Sequence, residues 1–411
     1  MACAILPVNA ICSRIAHPPL GASSSAEFFG GSVTRFACSG RKWSTCAVSS
    51  ASVVCSGVKA TTSSDPLTAE KLQEKFGRQG VRFVDVAGTP ATELKLRNGS
   101  SARMLISGAQ ITSYKANMWH GAQEELLHSV RSDSGNSTST SIRGGIVLSF
   151  SQLKDPLSSI LPSSSSPWRV EAVECQPSEY AQMTLTNYSY PEVGVGLSPR
   201  GSLQFKYVVT LFDDSLSVAL VVSNTGSVPV DFTGSIISHL GVSSAGGAFA
   251  VGLKGYRYRS LGKQKQSGFD ASKILSQIWK PWGAPDGNRG TLVEEKSGRD
   301  ARQELEDGKW TVESEDYSQL QAGMDRLYTT PPESFSIMDR GKRRSLVVER
   351  HGFTEFCLSN PGPDSQLRDW NKFVCVGPTQ SCQSVRLYEN REWRGAVTLL
   401  NPGTSDGEPI Q

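Results

Sequence analysis

Acidic residues are almost missing from the start of this 411-residue chain: before Asp65 the one carboxylate is Glu27, set among Arg14, Arg35, Arg41, Lys42, Lys59 and many serines. A Ser-rich, basic, acid-poor opening has the composition of an organelle transit peptide, and the abundance of serine with no Arg-rich amphipathic pattern points to the chloroplast. A secretory signal is disfavoured because the apolar run Ala2–Ala10 is short and is followed by Arg14, His17 and two prolines. We expect 1–56 to be the transit peptide and 57–80 a linker. Without 1–56 the chain is formally neutral, so the net charge of +3 belongs to that segment and argues for neither nucleic acid nor an anionic membrane surface. No apolar run reaches the roughly 18 residues of a membrane span. Cysteine is sparse beyond residue 56: Cys175, Cys357, Cys375 and Cys382 form no C-x-x-C pair, which speaks against a disulfide framework or a zinc site and for buried thiols. His120, His128, His239 and His351 form no H-x-x-x-H or H-E-x-x-H pattern, so no metal is expected. P-loop and G-x-G-x-x-G motifs are also absent, which removes the common nucleotide readings.

What is present is strand alternation. Phe205, Tyr207, Val209 and Leu211 share one face, Asp213-Asp214 turns, and Leu216, Val218, Leu220 and Val222 share one face again, which predicts a hairpin with one buried side. Further strands are predicted at 93–97, 103–106, 145–150, 168–174, 182–187, 229–238, 250–254, 344–350, 353–358, 372–377, 384–388 and 395–400. So many strands with so few helical periods predict an all-β antiparallel sandwich. The domain is expected to span 81–403, with a tail at 404–411. Residues 129–141 and 162–167 read as polar loops. Between 262 and 333 the alternation stops, and this partly helical insertion is expected to hold helices near 270–279, capped by Asp270, and 314–329, where Tyr317, Leu320, Met324 and Leu327 fall at helical spacing. It carries Trp279, Trp282 and Trp310, which either pack on the sandwich or serve as partner-interface anchors.

The segments LKLRNGSSARMLISGAQITSYK (94–115), IRGGIVLSF (142–150), SLQFKYVVTLFDDSLSVALVVSNTG (202–226), IISHLGV (236–242) and VGLKGYRY (251–258) resemble, in order, the landmarks of aldose 1-epimerase-like proteins, nearest to the hexose-6-phosphate mutarotases. That resemblance implies a galactose-mutarotase-like β-supersandwich over about residues 80–400. Mutarotation needs an acid for the ring oxygen and a base for the anomeric hydroxyl. In the family these are a His after a core strand, matched by His239, and a Glu in a Cys-x-Glu-Pro-like strand, where this chain has Gly377 between Cys375 and Pro378. The His-Gly-x-x-Arg segment that helps hold the sugar is matched by LPSSSSPWRV, with Ser163–Ser166 in place of those side chains and Arg169 as a shifted substitute. Arg143 is retained. The resemblance would set it near a substrate phosphate, whereas a structural role on loop carbonyls or a carboxylate is the simpler reading once its partners are gone. His239 by itself reads more simply as a satisfied buried histidine.

The run YTTPPESFSIMDRGKRRSLVVERHGFTEFCLSNPG (328–362), KFVCVGPT (372–379) and EWRGAV (392–397) resemble the plant mutarotase-like subunits of the chloroplast NAD(P)H dehydrogenase-like complex. This implies a degenerate, non-catalytic assembly subunit. It would be peripheral on the stromal side of the thylakoid, with partners in subcomplex B, and would support cyclic electron flow around photosystem I. No cofactor is implied: no flavin, iron–sulfur cluster or quinone site. The alternatives are a plastid hexose-6-phosphate 1-epimerase with a relocated base (Glu355, Asp364 or Asp369) and a carbohydrate-binding protein without catalysis. An open pocket at His239 with a carboxylate across it would favour the sugar readings; apolar filling would oppose them.

Overall fold

A computed structural model describes residues 68–118, 120–132, 141–152, 162, 168–189, 202–260, 310–365 and 367–402. They belong to a compact unit, Asp65–Gln411, distinct from Met1–Ser64. The transit peptide, the tail, the 270–279 helix, Trp279, Trp282 and Ser163–Ser166 all lie outside the described residues.

In chain order the first strands are β1 (Val81–Val86), β2 (Thr89–Lys95), β3 (Ser101–Leu105), β4 (Gln110–Asn117), β5 (Gln123–Glu125), β6 (Ser129–Ser132), β7 (Ser141–Gly144) and β8 (Ile146–Gln152). Next come β9 (Arg169–Gln176), β10 (Tyr180–Ser189), β11 (Leu203–Phe212), β12 (Ser215–Asn224), β13 (Val230–Gly241), β14 (Ala248–Val251) and β15 (Arg257–Ser260). The last are β16 (Thr311–Val312), β17 (Tyr317–Gln319), β18 (Asp325–Thr329), β19 (Ser334–Asp339), β20 (Arg344–His351), β21 (Glu355–Ser359), β22 (Phe373–Leu387) and β23 (Glu392–Leu400). One sheet runs β1-β2-β3-β4-β8-β13-β22-β21-β18-β15-β16 with β5 on β4; the other runs β17-β14-β19-β20-β23-β12-β11-β10-β9; β6 and β7 pair separately. The ladders are antiparallel, so an all-β sandwich is the observed class.

The expected hairpin is β11–β12, in register from Leu203↔Asn224 to Leu211↔Leu216. Its eight inward side chains are all buried, and burial of each such apolar group stabilises the fold by about 1.5–3 kcal/mol. They meet side chains of the other sheet in one core, closed by ring pairs that cross between the layers: Phe150 with Phe205, Phe232 with Trp393, and Phe335 with Phe356.

Two expectations are corrected. Part of the 57–80 linker is a helix, α1 (Ala69–Phe76), capped by Thr68. Its Leu72 is buried, and its Gln73 side chain accepts a hydrogen bond from the Phe83 amide of edge strand β1 (2.7 Å). The helix thus occupies backbone that an open edge would leave exposed. The expected 314–329 helix is instead β17 and β18 joined by a turn. Gly323 sits there at φ +69°, a conformation that ends a helix; Leu320 and Met324 are buried from the connection and Leu327 from β18, while Tyr317 of β17 is exposed. The polar 129–141 stretch contributes β6 and the first residue of β7.

Candidate functional site

β13 lies at the centre of the larger sheet, between β8 and β22. Alternation along it sends Ile236 and Leu240 into the sandwich core and Ile237 into a second cluster with Val147, Cys357, Phe373 and Cys375, onto which Leu367 packs. His239 shares the Ile237 side by its spacing of two. It is completely buried. Its Nδ1 lies 2.8 Å from the Gly145 carbonyl oxygen, which can only accept, so Nδ1 carries the proton. The Phe373 ring is tilted against it at 5.9 Å and is stacked on His128 at 5.0 Å. His128 Nε2 is in turn 2.6 Å from Asp369 Oδ2. Main-chain bonds tie the same residues together: the His128 amide donates to the His239 carbonyl, and the Gly145 amide to the His128 carbonyl. His239 therefore sits beside an apolar cluster, on a scaffold that fixes its ring.

Gly377 lies on β22 opposite Cys357 of β21. A Cβ built there would be 2.0 Å from the Ile236 carbonyl oxygen and 3.0 Å from the Ile237 Cα. The backbone of β13 thus occupies the space that any side chain would need, so the position at which the resemblance implies a carboxylate is sterically closed.

Two of the three carboxylates weighed as a relocated base, Glu355 and Asp369, are engaged elsewhere. Glu355 is buried and accepts from the Ser381 amide and hydroxyl and from the amides of Cys382 and Gln383, at 2.6–3.2 Å, which staples an irregularity in β22. Asp369 is engaged by His128, and Asp364 stands exposed in the short turn Pro363–Ser365.

A fourth acid, Asp325, was not legible in the sequence. Cross-strand register places Asp325, Ser359, Cys375 and His239 in one row over β18, β21, β22 and β13, three strand spacings or about 14 Å from end to end. Burial pushes the Asp325 carboxyl up to about 7, and its Oδ1 has no hydrogen-bond partner. Burial likewise raises the Cys357 and Cys375 thiols, which keeps them protonated and chemically quiet. No two-residue alternation in Met324-Asp325-Arg326-Leu327-Tyr328 marks this strand, so the sequence carries no signal for Asp325.

Arg143 is half-buried in β7, opposite Val130, and is separated from Gly145 by one residue. Gln110 Nε2 donates to the Ile142 and Gly144 carbonyls and anchors that turn. Trp310 is half-buried beneath the Arg257 guanidinium at 5.9 Å, just ahead of β16 and away from the His239 row. Among the described residues, no group of three or more His, Cys, Asp or Glu is placed to hold a metal ion, and no helix is long and apolar enough to cross a membrane.

No family model matches the chain. It is similar to the protein NDH-dependent cyclic electron flow 5 of Arabidopsis thaliana, with 31% identity over 343 residues, covering 82% of this chain and 84% of the relative. A shorter stretch of 87 residues, 20% of this chain and 26% of the relative, is 24% identical to a putative glucose-6-phosphate 1-epimerase of Cenchrus ciliaris. Among solved structures the fold is similar to a putative mutarotase, YeaD, of Salmonella typhimurium (TM-score 0.55, 16% identity, 79% of this chain and 94% of that one). It is also similar to a galactose mutarotase-like protein of Clostridium acetobutylicum (TM-score 0.51, 12% identity, 78% and 97%). The architecture is therefore galactose mutarotase-like.

Proposed function

Because the chain belongs to the family of NDH-dependent cyclic electron flow 5, we propose that it is a non-catalytic subunit of the chloroplast NAD(P)H dehydrogenase-like complex. In this reading it is imported into the chloroplast and sits on the stromal side of the thylakoid. It contacts subunits of subcomplex B and supports cyclic electron flow around photosystem I through the assembly of that complex. The observation that carries the reading is the relationship over 82% of the chain. The basic, acid-poor first 56 residues support import.

The surroundings of His239 support the absence of catalysis. Anomerisation needs an acid and a base on opposite sides of a bound sugar. Here the histidine is buried beside Phe373 and an apolar cluster, and Gly377 can carry no carboxylate.

Native-gel separation of solubilised thylakoids, with mass spectrometry of the bands that hold this chain, tests the proposal. Co-migration with dehydrogenase-like subunits is the expected result. Migration as a free soluble protein, together with anomerisation of hexose 6-phosphates by the purified chain, would replace it with the epimerase reading.

A further inference from the structure

The side of the nine-stranded sheet turned away from the core is unusual for the lack of charge across its middle, where Thr184, Thr210, Ser215 and Thr398 are already largely buried by their neighbours. An antiparallel sheet with one face in solvent normally alternates apolar inward residues with polar outward ones. The β1–β3 edge of the larger sheet follows this, with a charged outward row Arg82–Glu93–Arg103, while the outward side of its centre is covered by the Ile237 cluster. In the smaller sheet Val209, Val218, Val348, Val397 and Leu399 are buried in the core, so their neighbours face outward. One outward row then reads Ala172–Thr184–Val208–Ala219–Ala396 across five strands. Another reads Val251–Ser336–Val347–Leu400–Ser215, again across five. Between them the row Glu174–Gln182–Thr210–Ser217–Thr398–Glu349 has a carboxylate only at each end. The side chains are short or β-branched, so the surface they make is flat.

Along the rim row Arg169–Thr186–Lys206–Val221–Arg394, two of the three cations are paired with carboxylates. Lys206 Nζ is 3.4 Å from Glu171, and Arg394 pairs with Glu392 at 2.5 Å. The surface thus has no excess charge to recruit an anionic membrane or a nucleic acid.

We propose that this face is a docking surface for another protein, one that offers a flat, uncharged, aliphatic-rich face; the inference rests on the assembly reading above. Size argues for a different subunit over a second copy of this chain. Six strands and three outward residues along each cover roughly 600 Å². A stable two-body interface needs about 800 Å² per partner. Alone the face is too small for a lasting dimer, and it suits a position where neighbouring contacts share the load.

The test places a charge in the middle of the face without touching the core. Full-length chains carrying Val208→Lys or Ala219→Lys are expressed in plants that lack their own copy and compared with wild type on native gels. Arg82→Ala, on the other sheet, serves as control. We expect at least a tenfold loss from the assembly band for both lysine variants, none for Arg82→Ala, and melting temperatures of the purified variants close to wild type. Wild-type levels of both lysine variants in the band would overturn the docking face and leave the assembly reading standing. Wild-type protein missing from the band would instead remove the assembly reading, and the proposal with it. Dimers of the purified chain in light scattering that Ala219→Lys abolishes would assign the face to self-association and overturn the choice of partner.

Discussion

Asp325 is a carboxyl group held where charge is disfavoured, with a folded value of about 7 against an ordinary 3.8. Between about pH 4 and pH 7 the unfolded chain has released a proton that the folded chain keeps, so this group makes stability fall as pH rises through that window and level off above it. Asp325→Asn removes the titration while preserving shape. The variant is expected to be more stable than wild type at pH 8 by on the order of 2–4 kcal/mol, and by clearly less at pH 5. Urea unfolding at the two pH values checks this; a gap that does not grow with pH would place the effect on another group. Gly377 poses a steric question. Gly377→Ala must displace the β13 backbone at the Ile236 carbonyl, so a loss of about 2–3 kcal/mol is expected from chemical denaturation. Gly377→Glu is expected to be at least as destabilised and to gain no anomerisation activity.

At the scale of single elements, the Thr-Pro-Pro connection between β18 and β19 shows how the sandwich secures an irregular stretch. Arg350 on β20 donates from Nε to the Pro332 carbonyl at 3.2 Å and from its two terminal nitrogens to the Pro331 and Phe353 carbonyls. Arg350→Ala leaves three carbonyls without donors and is expected to cost about 2–3 kcal/mol. Arg350→Lys should recover little, because a single ammonium cannot reproduce the guanidinium fork. Hydrogen exchange at β19 and β20 reports the change directly: faster exchange in both variants supports the role, and wild-type rates in Arg350→Ala would refute it. Elements with strict alternation, such as β11, β12 and β20, were legible in the sequence because each buries one face. β22 read as two strands, 372–377 and 384–388, because its middle is irregular and is stapled by Glu355, an acid distant in sequence. The 314–329 segment misled because two strands joined by the turn Gln321–Gly323 set Leu320, Met324 and Leu327 at intervals that a helix also produces.

Across the whole molecule, the architecture was readable because two-residue periodicity recurs on both sides of the 262–333 interruption, while the site was readable only in outline. His239 stood out as a landmark, and Gly377 as a missing carboxylate. That β13 runs too close to Gly377 for any side chain, and that Asp325 shares a row with His239, are facts of cross-strand register between segments far apart in sequence. The edge of the larger sheet has a further consequence. Strands β15 and β16 pair through Arg257↔Val312 and Tyr258↔Thr311. Behind them Glu313 is locked to Arg326, Ser318 and Tyr328. With the two strands fastened side by side, doubling the number of residues between them would cost only about 0.6 kcal/mol in closure entropy. In closure entropy the β15–β16 ladder is therefore nearly indifferent to how many residues join its strands. An engineer could use that closely held pair of strand ends as a seat for a fluorescent reporter.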